Sequence, residues 1–372
     1  KIQESEKHSK KENRQQTVKD LQEQENTQSD QTDHTNDEKL LSEDSNSDQT
    51  LDISQLSKEE REKREQELSE KEELEISAQA KEQFLQVKKR IQEREQREKE
   101  AHEKRIQELL DELNSLVGLA NVKEEIQSLI NLIKIRKLRS QMNIPEMDMS
   151  YHMVFTGSPG TGKTTVARLV AKIYKELGIL SDGKVIETDR SGLVAGYVGQ
   201  TAMKVHDIVE QALGGILFID EAYSLVNPDV PNDFGSEAID ALVKLMEDHR
   251  DNLIVIVAGY TEEMKTFLKS NTGLISRFNK FIEFRDYTKK ELVEILEVMT
   301  KDAGLKIEES AKKRVLNILY HKKGQEWAEF GNARGIRNFF EKIVMNQANR
   351  LVKMENPQKE DLITLKKEDV VV

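Results

Sequence analysis

The sequence predicts an α/β domain built on a parallel five-stranded sheet, followed by a smaller α-helical domain and preceded by a polar segment and a long charged helix. Three observations carry this. Between residues 113 and 287, short apolar or β-branched runs alternate with helical patterns, the pattern of a sheet covered on both faces. A glycine-rich loop stands between the first of these runs and the next helix. After Tyr287 the strand-like runs stop and helical patterns alone remain.

The first third of the 372-residue chain is a different kind of polymer from the rest. All 18 glycines and all 5 prolines lie at or beyond Gly118, and Phe84 is the single aromatic residue among the first 110. Those 110 residues hold 21 basic and 30 acidic side chains, which is −9 of the net charge of −12. Residues 1–52 are rich in Gln, Asn, Ser, Thr and Asp; they bury too little to offset the entropy of ordering and are expected to be disordered. Residues 53–112 turn to Glu, Lys, Arg and Gln, fair to strong helix formers, and predict a helical arm. Phe84, Val87 and Ile91 have helical spacing, but Ala101 is the one apolar residue between Gln92 and Arg105, so no heptad repeat is sustained. The expected state is a solvated helix held by i to i+4 pairs such as Glu95 with Lys99. A short coiled coil or a docking arm is the alternative.

Composition also excludes classes of function. An acidic balance disfavours a nucleic-acid partner gripped through its phosphates, which needs a clustered basic footprint. The absence of cysteine removes disulfides, thiolate nucleophiles and Cys-containing zinc sites, and fits a reducing compartment. No run approaches the roughly 18 apolar residues of a membrane span, and the start of the sequence lacks a signal-peptide apolar core. The expected location is the cytoplasm, although a sequence that begins at Lys1 leaves room for an upstream segment. The seven histidines have no metal-ligand spacing and read as structural.

Globular pattern begins near Leu109. Leu113, Leu116 and Val117 lead to Gly118, and a helix follows with Val122, Ile126, Leu129, Ile130 and Ile133 on one face. Strands are expected at 151–156, 184–187, 215–219, 253–257 and 281–284, with helices at 164–177, 201–213 and 237–248 between them. Thr288 with Glu291 three residues on reads as a capping box, and helices at 289–302, 308–323 and 333–353 follow. This divides the globular part into domains 113–287 and 288–372.

The chemistry is concentrated after the first strand. Gly157-Ser158-Pro159-Gly160-Thr161-Gly162-Lys163-Thr164 has the glycines that let a loop turn its amides toward phosphates, a lysine for the β/γ-phosphates, and a threonine hydroxyl for Mg²⁺ where the helix, with Thr165, begins. At the end of the apolar run Ile216–Ile219 stand Asp220 and Glu221. Beside a phosphate loop, Asp220 would hold Mg²⁺ through its water shell and Glu221 would orient and deprotonate the attacking water. The pair favours ATP hydrolysis over phosphoryl transfer to a small acceptor.

Over about residues 113–355 the sequence resembles the AAA+ superfamily of P-loop ATPases, most closely the group of stage V sporulation protein K and red-type Rubisco activase. The residues that carry the resemblance are the phosphate loop, Phe218-Ile219-Asp220-Glu221-Ala222-Tyr223, Ala258-Gly259-Tyr260 and Gly331-Asn332-Ala333-Arg334. It implies an AAA+ core with a C-terminal helical lid, ATP and Mg²⁺ as cofactors, and further roles. Val117-Gly118 would line the adenine pocket. Arg277 would be an arginine finger reaching a neighbouring subunit's γ-phosphate, and Arg334 the lid arginine that contacts nucleotide in its own chain. A finger that works across an interface implies a homo-oligomer, in this family usually a hexameric ring. Gly196-Tyr197-Val198-Gly199 resembles the central-pore loop of ring-shaped unfoldases, with Tyr197 and Val198 gripping a protein client. One departure stands out: many members carry an asparagine after the fourth strand, where this chain has Ala258-Gly259-Tyr260-Thr261. Two other readings stay open, a nucleic-acid motor or loader on the same core and a nucleotide-switched scaffold. A sporulation role rests on the resemblance alone.

Overall fold

The computed structural model describes residues 58–145, 149–197, 199–226 and 233–371. The expected disordered segment 1–52 and Val198 lie outside the described residues. The chain divides into two compact units, Lys1–Phe84 and Leu85–Val372.

The described part of the first unit belongs to α1 (Lys58–Ser115). Every described side chain from Gln66 to Ala101 is exposed, as the lack of an apolar seam requires. Lys89–Glu93 at 3.9 Å, Arg94–Glu98 at 2.9 Å and Lys104–Glu108 at 3.9 Å are among the i to i+4 pairs that lace it, each worth about a few tenths of a kcal/mol. The helix changes character at Ile106. There Ile106, Leu110 and Leu113 enter the core at helical spacing. Positive φ at Gly118 and Leu119 turns the chain out of α1, and Lys123 Nζ donates to the carbonyls of Asn114 (3.0 Å) and Leu116 (2.6 Å), satisfying groups at the helix end.

The second unit continues with α2 (Ala120–Gln141), β1 (Met153–Gly157), α3 (Lys163–Glu176), β2 (Val185–Thr188), α4 (Gln200–Ala212), β3 (Ile216–Ile219), α5 (Gly235–Asp248), β4 (Ile254–Gly259), α6 (Thr261–Lys269), α7 (Thr272–Arg277) and β5 (Lys280–Phe284). The five strands form one parallel sheet in the order β2-β3-β4-β1-β5. Period-2 alternation sends their side chains to two separate cores. Met153, Phe155, Ile216, Phe218, Ile254 and Ile256 pack with α2 and α3, whereas Val154, Leu217, Ile219, Val255 and Val257 pack with α4, α5 and α6. Because both faces are covered, β3 and β4 are apolar at every position. The carboxyl ends of β1, β3 and β4 therefore open together at one edge, where ligands of such sheets bind.

The lid follows as α8 (Lys289–Asp302), β6 (Lys306–Ile307), α9 (Glu309–His321), α10 (Asn332–Leu351) and β7 (Thr364–Leu365). The capping box forms: Thr288 N donates to Glu291 Oε2 (2.7 Å) and Glu291 N to Thr288 Oγ1 (3.3 Å). Strands do not stop at Tyr287, contrary to the expectation from sequence, since β6 and β7 pair in parallel. At two residues each they are too short to show a period, and their pairing spans more than fifty residues of sequence. Lid residues Leu292, Leu296, Val315 and Ile336 join the core on the α2–α3 face of the sheet.

The end of α1 thus belongs energetically to the globular unit. Leu113, 2 % exposed, is expected to cost about 2–5 kcal/mol of stability when replaced by alanine. Exposed Val87→Ala should stay within about 0.5 kcal/mol. Urea unfolding of the two variants measures the contrast.

Candidate nucleotide site

The phosphate loop is shaped by three glycines with positive φ, Gly157 (142°), Gly160 (74°) and Gly162 (97°). A Cβ on Gly157 would fall 2.1 Å from the carbonyl oxygen of Phe284, and one on Gly160 would fall 2.3 Å from that of Gly331. Backbone occupies both spaces, so no side chain fits. Fully buried Thr161 braces the loop from behind, its hydroxyl donating to Ser158 O at 2.8 Å. Gly162 caps α3, so Lys163 and Thr164 open the helix at its positive end.

A cavity of about 260 Å³ lies over this loop, lined by Gly157, Pro159, Gly160, Gly162, Lys163, Thr164 and Thr165 and closed by Asp220, Glu221, Tyr223, Tyr260, Arg334 and Arg337. Lys163 Nζ donates to Gly157 O (2.8 Å) and Ser158 O (2.9 Å). Burial lowers the pKa of its ammonium, and Asp220 acts in the opposite direction. Asp220 follows β3, fixed by its own N–H on Thr188 O (2.9 Å), and its Oδ1 accepts from Glu221 N at 3.0 Å. Glu221 has left-handed backbone, φ 49°, an uncommon conformation for a residue with a side chain. The short turn Ala222–Leu225 behind it is held by Arg190, which donates to Ser224 O at 2.6 Å and pairs with Asp233.

Beside Glu221, Tyr223 and Tyr260 form an aromatic wall with centroids 5.8 Å apart. Gly259 makes it possible, because a Cβ there would meet Tyr223 at 2.7 Å. Burial, with Glu221 second, pushes the Tyr223 hydroxyl up to about 12, so it remains a donor. The chain after β4 thus presents Tyr260 to the cavity.

The third wall is the lid. Asn332, Ala333 and Arg334 open α10, and Ala333 N donates to Gly160 O at 3.1 Å. Tyr287, at the junction between sheet and lid, donates its hydroxyl to Thr161 O (3.2 Å). Gly118 lies against the same tyrosine: a Cβ there would meet Glu291 Oε1 at 2.6 Å and Tyr287 Cε1 at 3.3 Å. The Val117-Gly118 segment is thereby brought to the edge of the phosphate loop.

Two expected residues lie elsewhere. Arg277 ends α7 and borders a separate cavity of about 450 Å³ that shares no lining residue with the first. There its Nη2 pairs with Glu247 Oε2 at 2.9 Å. Tyr197 is 74 % exposed, on a loop anchored by Lys204 Nζ to Ser191 O (2.6 Å) and Val194 O (3.1 Å) and by Ala195 N to Thr201 Oγ1 (3.1 Å). Gly196 and Gly199 on either side have nothing within 4 Å of a built Cβ.

Sequence reasoning missed Tyr223, Tyr287 and Asn332 as parts of the site. Tyr223 and Asn332 stood inside stretches read for their neighbours, while Tyr287 bore no signal beyond ending the last strand segment.

A family model described as "ATPase family associated with various cellular activities (AAA)" matches residues 153–286, and one for the AAA lid domain matches residues 288–372. A CfxQ homolog of Galdieria sulphuraria is 43 % identical over 270 residues, covering 72 % of this chain and 88 % of the relative. This chain belongs to the AAA ATPase family. The chloroplastic ribulose bisphosphate carboxylase/oxygenase activase of Cyanidioschyzon merolae is 41 % identical over 269 residues, 72 % of this chain and 91 % of its own. Stage V sporulation protein K of Bacillus subtilis is 41 % identical over 268 residues, 72 % and 83 % of the two chains. A solved structure of a Thermotoga maritima RuvB variant overlays with a TM-score of 0.47 at 20 % identity, over 69 % of each chain. As a member of the AAA family, the chain is an ATPase that binds nucleotide.

The crowding around Gly160 yields a direct test. Gly160→Ala is expected to weaken ATP binding by about tenfold or more, because the new methyl group drives the lid off the loop. Gly178→Ala, also at positive φ but with nothing within 4 Å, should leave the affinity unchanged. Nucleotide titration of both variants makes the comparison.

Proposed function

We propose that this ATPase works as a Mg²⁺-dependent ring that remodels a protein client by pulling a segment of it past Tyr197. The observation that carries the client's class is the exposure of that tyrosine on a firmly anchored loop. A side chain that amphipathic, held out from a fixed base between two glycines, can grip a polypeptide by apolar contact without demanding a sequence. The Cyanidioschyzon relative, an activase of another enzyme by name, also supports a protein client. The expected setting is the cytoplasm; among the described residues no helix is long and apolar enough to cross a membrane.

In this reading the triphosphate lies along the amides of Gly157–Thr164, with the adenine beside Val117-Gly118. Lys163 exchanges its two carbonyl partners for β- and γ-phosphate oxygens, which are better acceptors. Thr164 and Asp220 offer the hard oxygen donors that suit magnesium, which takes most of its remaining ligands from phosphate and water, so no larger cluster of protein ligands is needed. When bound there, the ion would neutralise charge developing on the phosphates. Glu221 accepts a proton from the attacking water, and Tyr223 and Tyr260 confine that water on the far side. Arg334, on the first turn of α10, binds the nucleotide from the lid.

Arg277 is assigned to the neighbour's site. Its place on a cavity other than the nucleotide site, and its salt bridge to Glu247, suit a finger that serves the adjacent subunit. A contact of this head-to-tail kind repeats until a ring closes, and six subunits is the number the family favours.

Two substitutions separate hydrolysis from work. Glu221→Gln should retain ATP binding and lower turnover by about 10²-fold or more, whereas Tyr197→Ala should keep basal turnover and lose stimulation by an unfolded protein. ATPase assays with and without that protein, and with DNA in parallel, provide the readout. Unchanged turnover in the Gln variant would sink the hydrolytic assignment, and stimulation by DNA alone would sink the protein client.

A further inference from the structure

Besides the backbone contacts between them, the side chain of Asn332 hydrogen-bonds the lid to the phosphate loop. Asn332 is 9 % exposed and has left-handed backbone, φ 54°, a conformation asparagine tolerates better than most residues. Its Oδ1 accepts from Tyr287 N at 3.0 Å, and its Nδ2 donates to Asp286 Oδ1 (3.0 Å) and to Pro159 O (3.3 Å). These three bonds reach three different parts of the molecule: the junction backbone, the junction carboxylate and the phosphate loop. The neighbouring bond from Ala333 N to Gly160 O makes the contact two-point.

We infer that Asn332 is a positioning residue that latches the first turn of the lid, and with it Arg334, to the phosphate loop, so that the loop and the lid move as one unit when nucleotide binds. The assignment rests on the nucleotide site described above and is independent of ring assembly and of the client.

The chemistry of the position is restrictive. It needs one acceptor for an N–H and two donors, one of them aimed at a carboxylate, and only a primary amide of this length supplies all three. Aspartate would keep the acceptor, lose both donors, and set a second carboxylate against that of Asp286. Alanine would lose all three bonds and strain the backbone. Glycine would lose the bonds but keep the backbone, so Asn332→Gly isolates the latch from the φ requirement. Arg334 follows two residues further along the same turn, so whatever holds Asn332 also holds the base of its side chain.

Trp327 provides a reporter inside the lid. It is the single tryptophan of the chain, stacks on Phe330 with centroids 6.0 Å apart and planes 7° apart, and lies under the ammonium of Lys289 at 4.8 Å. Phe330 is followed directly by the Gly331-Asn332 turn, so a loosened latch reaches Trp327 through two residues of chain.

The experiment uses the full chain as wild type, Asn332→Gly, Asn332→Asp and Glu221→Gln. It measures acrylamide quenching of Trp327 with and without ADP, together with kcat and KM for ATP. The wild type should show quenching that falls when ADP is added. Both Asn332 variants should bind ADP yet lose that response, with kcat lowered about tenfold and KM changed by less than about threefold. Asn332→Asp should regain part of the response as the pH is lowered from about 8 toward about 6, because a protonated acid at 332 again donates, and beside Asp286 its pKa lies above the ordinary aspartate range. Asp286 and Arg334 both act on the Lys163 ammonium, as do Asp220 and Glu221, so these are the other charges at this edge of the loop. Asn332→Gly has nothing to protonate and should stay unresponsive. An ADP response and a kcat equal to those of the wild type in Asn332→Gly would overturn the latch, as would an equal loss in both variants at every pH. If Glu221→Gln hydrolyses ATP normally, the fault lies instead with the assignment of the nucleotide site.

Discussion

The carbonyl of Gly331 fills the space where a side chain on Gly160 would have to be, and the rest of the site depends on that approach. Because the backbone of the lid touches the backbone of the phosphate loop, the two halves of the cavity cannot be adjusted separately. Gly160 must be glycine for lack of room, Gly331 must turn with positive φ to start α10, and Asn332 must supply an amide to hold the turn down. The sheet makes this approach possible by ending β1 beside β5, where Phe284 O crowds Gly157 and Tyr287 follows three residues later. Tyr287 then gives its hydroxyl to Thr161 and its N–H to Asn332. Burial pushes that hydroxyl up to about 12, which keeps it a donor at any physiological pH.

The core explains why so charged a chain forms so exact a cavity. Leu113 at the end of α1, Ile126 and Ile130 of α2, the inward residues of the strands and Leu292, Leu296 and Ile336 of the lid belong to one continuous cluster. Each fully buried Leu or Ile of this set contributes about 1.5–3 kcal/mol, far more than the exposed ion pairs along α1. The lid is therefore carried by the same apolar face that carries the phosphate loop, and its position is fixed from below by packing and from above by hydrogen bonds.

Sheet, helices and phosphate loop were legible because each is written locally: a period of two or of 3.6 residues, a capping box at Thr288, and glycines beside a lysine. Asp220 and Glu221 were legible for the same reason, standing at the end of a fully apolar strand. What the sequence did not reveal was long-range. Asn332 contacts Pro159 across 173 residues and Tyr287 across 45, and no periodicity encodes such a meeting. The pairing of β6 with β7 escaped notice likewise, because two-residue strands carry no pattern. Arg277 is the opposite case: the resemblance named it, yet within one chain it faces Glu247 on a second cavity.

Arg277 borders a cavity other than the nucleotide site of its own chain, so the proposed finger would have to serve a neighbour. The decisive measurement is ATPase activity in a mixture of two single variants, Lys163→Ala, which lacks the phosphate-binding lysine, and Arg277→Ala, which lacks the finger. Each alone should be inactive. Mixed, they should regain turnover, because the intact Lys163 of one subunit then meets the intact Arg277 of the other. A mixture as inactive as its components, or an Arg277→Ala protein that hydrolyses ATP at the wild-type rate, would contradict a site shared between subunits.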